Sequence, residues 1–191
     1  MTTHYIDITL LPDPEFSHAH LLSALVAKLH RALVQGKHTD IGVSYPQHIS
    51  RPLTRRTLGA VLRLHGTPDV LGRLMEQDWL KGMRDHTQVS ALRPVPADAQ
   101  HRTVRRRQFK TNADRLRRRR MQRKGETAEQ AAAAIPLTVE RRPELPFVQL
   151  RSSSTGQPFC LCVEHGPLLS QPAPGPFNAY GLGHEATVPW F

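Results

Sequence analysis

Half of the residues from His101 to Lys124 (HRTVRRRQFKTNADRLRRRRMQRK) are Lys or Arg, twelve of them against one acid, Asp114. Unpaired charge is too costly to bury, so this segment cannot serve as core and must lie on a surface or in a groove. Outside it the chain carries 14 basic and 15 acidic residues, which confines the net charge of +10 to this one place. Clustered Arg and Lys suit a polyanion, because they gain affinity by displacing counterions condensed on phosphates.

The second half of the stretch reads as a helix. Thr111 with Asp114 fits a capping box, Asn112 is an alternative N-cap, and Gly125 is a natural stop. Helical spacing places Arg115, Arg118, Arg119, Gln122 and Arg123 on one face, with Arg117, Arg120 and Lys124 on the other side. Only Leu116 and Met121 are available as anchors, so burial alone does not hold this helix, and like charges at i,i+4 oppose it. A solvated basic tail is the competing reading.

At 191 residues the chain has enough length for a substantial core. HYIDITL (4–10) alternates apolar and polar residues as a strand does. Asp13 with Pro14 reads as the start of a helix that runs to Gln35 and is closed by Gly36, with Leu22, Leu25, Val26, Leu29 and Leu33 as its buried stripe. Strands are expected at 41–45, 58–65 and 87–93, and a helix at 70–75, with Trp79 and Leu80 in the core. Strand–helix–strand–strand–helix–strand is the ferredoxin-like order that also underlies RNA-recognition domains. Pro94 and Pro96 mark a boundary, giving domains at 1–96 and 97–191. Beyond the basic stretch, Thr127 and Gln130 cap a short Ala-rich helix ending at Ile135. Strands follow at 147–151 and 159–163, joined by a hydroxyl-rich turn from Ser152, and the chain closes on a Gly-containing turn and a short strand. The class is α+β.

No apolar run approaches the roughly 18 residues of a membrane span. Cys160 and Cys162 lie two apart, a poor geometry for bridging each other, and the chain reads as reduced and cytoplasmic. Cys160, Cys162 and His165 lack a fourth ligand at zinc-like spacing, so neither a metal nor any other cofactor is expected. The acids are scattered singly, which disfavours two-metal nuclease chemistry, and there is no Gly-rich phosphate loop. Metal-free RNA cleavage remains open. There the 2′-hydroxyl of the substrate attacks the adjacent phosphate, and the protein supplies a base, alignment and positive charge. His30, at the edge of the first helix's apolar stripe, is the foremost candidate base, since histidine alone is readily neutral or protonated at cellular pH. A boundary histidine with only a packing role, and Ser152 to Thr155 as ordinary turn residues, are the bland alternatives.

Seven segments in the same order resemble the CRISPR repeat-processing endoribonucleases of the type I-F system: HYIDITLLPDPEF, LHRAL around His30, IGVSYP, RRQFKTNADRLRRRRMQRK, LPFVQLRSSSTGQPF, EHGP at 164–167, and the closing YGL…VPWF. The resemblance implies a ferredoxin-like N-terminal domain and a C-terminal domain presenting an arginine-rich helix to an RNA hairpin. It implies metal-independent cleavage of precursor CRISPR RNA at the base of each repeat hairpin. The enzyme would then stay on the mature crRNA within the type I-F interference complex, beside its other subunits.

Carried over position by position, the catalytic histidine falls on His30, the active-site serine on Ser152 and the aromatic hydroxyl on Tyr180. The base-reading pair falls on Arg106 and Gln108, the aromatic stacking beneath the hairpin on Phe159, and the groove-lining arginines on Arg115, Arg118, Arg119 and Arg123. Gln122 stands where another arginine is expected, and Arg105 and Arg107 add charge around Arg106. A non-catalytic hairpin-binding subunit and a basic DNA-binding protein are the rival readings.

Overall fold

The computed structural model describes residues 2–50, 56–109, 113–136, 144–152 and 154–191. Strand β1 (His4–Leu10) buries Ile6, Ile8 and Leu10 and turns Tyr5, Asp7 and Thr9 to its other face, as the alternation dictates. Helix α1 (His18–Gln35) buries every residue of the expected stripe and is closed by Gly36. It begins later than expected. The Asp13 carboxylate accepts from the N–H groups of Glu15 and Phe16, each at 2.8 Å, and so folds a local turn. Ser17 is the N-cap, its hydroxyl accepting from His20 N–H at 3.3 Å.

The first sheet is completed by β2 (Gly42–Ser44), β3 (Val61–Gly66), β4 (Thr87–Val89) and β5 (Arg93–Pro94), with α2 (Pro68–Glu76) between β3 and β4. Its order is β2-β3-β1-β4, antiparallel throughout, and β5 continues the β4 edge along β1. The single strand expected over 87–93 is broken in two. Ser90 exchanges hydrogen bonds with the backbone of Asp7, its hydroxyl accepting from Asp7 N–H and its own N–H donating to Asp7 carbonyl. Pro94, expected in a linker, pairs with His4.

The second sheet uses β6 (Gln100–Arg107), β7 (Phe147–Arg151), β8 (Pro158–His165) and β9 (Thr187–Trp190) in the order β7-β8-β6-β9. β6, the first half of the basic stretch, has no counterpart in the sequence reading. It is a strand whose only fully buried side chain is Val104. Its partners arrive late in the chain: β8 pairs with 104–107 and β9 with 100–103.

The boundary expected near residue 96 falls between the strands of the two sheets, whereas the compact units are Met1–Arg107 with Leu145–Phe191, and Gln108–Glu144. Within the first unit α1 packs against both β1 and β7, and one apolar core joins Ile8, Leu25, Leu29 and Leu64 to Val148, Leu161 and Val188. Arg63 clamps the far side of the first sheet. It donates to both Asp7 carboxylate oxygens, at 2.7 and 2.9 Å, and its guanidinium lies over the rings of Tyr5 and Phe191. His65 is fully buried against the Ser44 hydroxyl at 2.8 Å. His165 stacks on His48 with ring centroids 3.5 Å apart, and both meet Trp190 edge-on.

The second unit holds α3 (Ala113–Lys124) and α4 (Ala128–Ala134). The expected caps Thr111 and Asn112 lie outside the described residues. The Thr127 and Gln130 capping box is present. Among the described residues, no helix is long and apolar enough to cross a membrane.

Candidate active site

His30 is half-buried at the rim of the α1 stripe, next to fully buried Leu29. Its Nδ1 lies 2.7 Å from the carbonyl oxygen of Ala179. A carbonyl only accepts, so Nδ1 carries the hydrogen, and in the neutral ring the lone pair is left on Nε2. The ring lies flat against Tyr180, with centroids 4.1 Å apart and planes 9° from parallel. Together the carbonyl and the stacked ring fix both the tautomer and the orientation of the imidazole.

The loop that supplies both partners is tied down at several points. The Asn178 side chain accepts from the N–H groups of Tyr180 (2.8 Å) and Leu182 (3.3 Å). Phe177 N–H donates to Thr39 carbonyl, Val43 N–H to Gly181 carbonyl, and Gly183 N–H to Val104 carbonyl. Gly181 has φ +70°, and a Cβ there would stand 2.3 Å from Val43 Cγ2. Glycine is required at that position on both counts.

Ser152 opens the turn between β7 and β8. Its N–H donates to Gln157 carbonyl at 2.9 Å, and its carbonyl accepts from Gly156 N–H at 2.8 Å. The Ser152 hydroxyl accepts from Thr155 N–H at 3.3 Å and lies 3.2 Å from the Ser154 hydroxyl. Arg106 projects from β6 with its guanidinium carbon 5.5 Å from the ring centres of both Phe159 and Tyr180. Its Nε is buried and lacks a hydrogen-bond partner among the described residues. A buried guanidinium donor left unpaired is costly, and an acceptor brought into this cleft would relieve it.

An open cleft of about 650 Å³ gathers these groups: His30, Tyr180, Ser152, Ser154, Arg106 and Phe159 line it, with Arg31 and Arg151. Three arginines face it, and no carboxylate among the described residues does. No cluster of three or more His, Cys, Asp or Glu suited to a metal ion occurs among the described residues. Arg31 and Arg151 were missed in the sequence, although each directly neighbours an expected site residue.

The three β6 arginines other than Arg106 are already engaged, and two of them add less charge than expected. Arg105 and Arg107 pair with Glu164, the latter at 3.4 Å. Arg102 donates twice to Gly166 carbonyl and lies over Trp190. Gln108 is exposed and begins the second unit. On α3, Arg115, Arg118, Arg119, Gln122 and Arg123 are exposed, which is the face given by helical spacing. Arg117 and Arg120 are half-buried: Arg117 donates to Ile135 carbonyl at 2.9 Å and Arg120 forms a two-pronged pair with Glu126. These contacts hold α3 to the segment that follows it.

The family model for the CRISPR-associated protein Cas_Csy4 matches residues 5–191. A CRISPR-associated endonuclease Cas6/Csy4 of Pseudomonas aeruginosa (strain UCBPP-PA14) is 47% identical over 188 residues, covering 98% of this chain and 99% of its own. One of the same name from Escherichia coli (strain UTI89 / UPEC) is 44% identical with the same coverage. A solved structure described as an RAMP protein binding different RNA substrates is a distant likeness, with 12% identity and a TM-score of 0.35 over 98% of this chain and all of that one. The family match from end to end and the two close relatives place the chain in one group: it belongs to the Cas_Csy4 family of CRISPR-associated proteins.

Proposed function

We propose that this chain is a metal-independent endoribonuclease that binds a CRISPR repeat hairpin, cuts precursor CRISPR RNA at its base and stays on the mature crRNA. Endonuclease activity in a CRISPR system follows from family membership. The observation that carries the finer reading is the His30 arrangement. Nδ1–H is held by Ala179 carbonyl, which presents Nε2 as a base in a cleft lined by hydroxyls and arginines and, among the described residues, by no carboxylate.

In the step itself, His30 Nε2 takes the proton of the 2′-hydroxyl as that oxygen bonds to the adjacent phosphorus. The bond from phosphorus to the 5′-oxygen breaks, and that oxygen leaves as a hydroxyl with a proton taken from water. The products are a 2′,3′-cyclic phosphate and a 5′-hydroxyl. Ser152 positions the ribose, Tyr180 holds the imidazole plane, and positive charge in the cleft stabilises the phosphorane. Arg106 pairs with a guanine and Gln108 with an adenine, while Phe159 stacks beneath the hairpin's last base pair. Arg115, Arg118, Arg119 and Arg123 follow its phosphates; the exposure of that face, and the tethering of Arg117 and Arg120 on the other, support this assignment.

The sheet order β2-β3-β1-β4 with α1 and α2 as connections supports a ferredoxin-like N-terminal domain over 1–96, with the RNA-hairpin-binding domain following over 97–191. The partners are the repeat hairpin and the other subunits of the type I-F interference complex, in the cytoplasm. The test is incubation with repeat hairpins in EDTA, followed by analysis of product ends. Cleavage should persist and leave cyclic phosphate, and His30→Ala should cut about 10²-fold slower or worse while binding the hairpin normally. Activity lost in EDTA and restored by magnesium overturns the mechanism, and uncut RNA points to the non-catalytic reading.

A further inference from the structure

The cleft does not end at His30. A hollow of about 490 Å³ shares Arg31 and Gln35 with it and adds Lys28. A third, of about 410 Å³, shares Gly36 and Gln77 with the second and adds Lys37 and Arg73. Through these shared residues the second and third hollows adjoin the cleft and each other, making a groove along the C-terminal half of α1. Of its two acids among the described residues, Asp78 is paired with Arg84 at 2.6 Å, and Asp40 lies 3.4 Å from His38 Nδ1. Arg31, Lys37 and Arg73 are exposed and form no ion pair among the described residues. The Lys28 ammonium is anchored on Lys81 carbonyl at 2.6 Å, which leaves further N–H donors for another ligand.

Lys37 is an unusual residue for its place. Its φ of +51° is the one positive value among the described non-glycine residues. Left-handed backbone at a helix end is ordinarily given to glycine, and a side chain there costs about 1 kcal/mol. A cation at such a position, lining a hollow together with Arg73, points to a role for the charge.

We propose that this groove holds the single-stranded RNA on the far side of the scissile phosphate, the strand released with the 5′-hydroxyl. This rests on the endoribonuclease reading above. The nucleotide that supplies the 2′-hydroxyl belongs to the hairpin, which takes the wall formed by Arg106 and Phe159. The chain continuing past the phosphate needs another exit, and the two hollows beyond Arg31 are lined by neither of those residues. It has cations for a phosphate backbone and two glutamines for base edges, and it is open to solvent along its length. A nuclease whose product stays bound on one side gains from a weaker, salt-sensitive grip on the other: the flank is aligned before the cut and released after it.

The test measures binding by fluorescence anisotropy, with uncleavable hairpins carrying a 2′-deoxy nucleotide before the cut. The hairpin alone is compared with hairpins extended by a short single strand beyond the cut or, as a control, on the opposite end. For wild type, the extension beyond the cut should steepen the slope of log K against log salt by about 2, at roughly 0.7 for each of three phosphates. Its advantage then shrinks roughly 20-fold between 50 and 200 mM salt. A Lys37→Gly/Arg73→Gln protein should bind the bare hairpin as wild type does and lose most of the added slope. Glycine suits the backbone at 37, so that change removes charge without strain. Should the double variant bind the bare hairpin poorly, a 4-thiouridine in the flank of the wild-type complex decides instead, by crosslinking to residues 28–40 or 73–79. An extension that adds nothing, an equal gain from the control, or crosslinks elsewhere overturns the groove assignment. Failure of the bare hairpin to bind wild type overturns the underlying reading instead.

Discussion

Lowering the pH from 7 to 5 should destabilise this protein by about 3 kcal/mol through two histidines, one buried and one half-buried. Burial pushes the His65 ring down to about 3, with Arg63 acting in the same direction. His165 is likewise pushed down to about 3, by burial first and then by His48 and Arg102. An unfolded histidine titrates near 6.5, so between those values the unfolded chain takes up a proton that the folded one refuses. Stability is therefore fully present above about pH 6.5 and is lost as pH falls toward the folded value. For fully buried His65 linkage gives a loss of about 2 kcal/mol from pH 7 to pH 5. His165 is not completely enclosed, and solvent screening reduces its share to about 1 kcal/mol. The depressed values of His48 and His101 act in the same direction. Urea unfolding followed by tryptophan fluorescence at the two pH values measures the sum. His65→Gln, which cannot titrate, should flatten the dependence by about 2 kcal/mol even though it lowers stability at pH 7. Equal stability at both pH values, to within about 0.5 kcal/mol, or an unchanged dependence in His65→Gln, would refute the argument.

Three further outcomes are expected. Arg118→Ala and Arg119→Ala should each flatten the salt dependence of hairpin binding by about one phosphate contact, for all hairpin sequences alike, as read from affinities across a salt series. Arg106→Ala should cost about 1–3 kcal/mol and relax discrimination at a single guanine; equal losses on every sequence would contradict its reading role. Gly181→Ala, which forces a side chain into left-handed backbone and against Val43, should lower stability by about 2–4 kcal/mol and slow single-turnover cleavage as well. A melting temperature unchanged from wild type would show that the loop gives way more easily than its contacts suggest.

Local chemistry was legible where one segment decides its own structure. β1, the α1 stripe, the Gly36 stop and the Thr127 capping box all follow from neighbouring residues, and all are present. Asp13 shows the limit of such reasoning. The same side chain that caps a helix also closes a short turn, and here Ser17, four residues further on, does the capping. β6 was illegible because the signal for a strand is alternation of apolar and polar residues. HRTVRRR offers only Val104 as a fully buried side chain, and its pairing partners lie in β8 and β9. The division of labour among the arginines was half legible. Helical spacing gave the exposed face of α3, but nothing local shows that Glu164 and Gly166 occupy Arg105, Arg107 and Arg102. The meeting of His30 with Ala179 and Tyr180 spans about 150 residues of sequence and is a product of the fold; only the family resemblance anticipated Tyr180.

The partner that orients His30 is a main-chain carbonyl, and this changes what evolution can do to the site. Where a carboxylate aligns a histidine, a single codon change abolishes the alignment. Here every amino acid at position 179 carries the same acceptor, so no side-chain replacement there deletes it. Vulnerability moves instead to positions that never touch the imidazole: Gly181, whose left-handed backbone and close approach to Val43 suit glycine, and Asn178, whose amide oxygen gathers two N–H groups of the loop. In a mutational scan, position 179 should tolerate wide variation while its neighbours at 178 and 181 tolerate little.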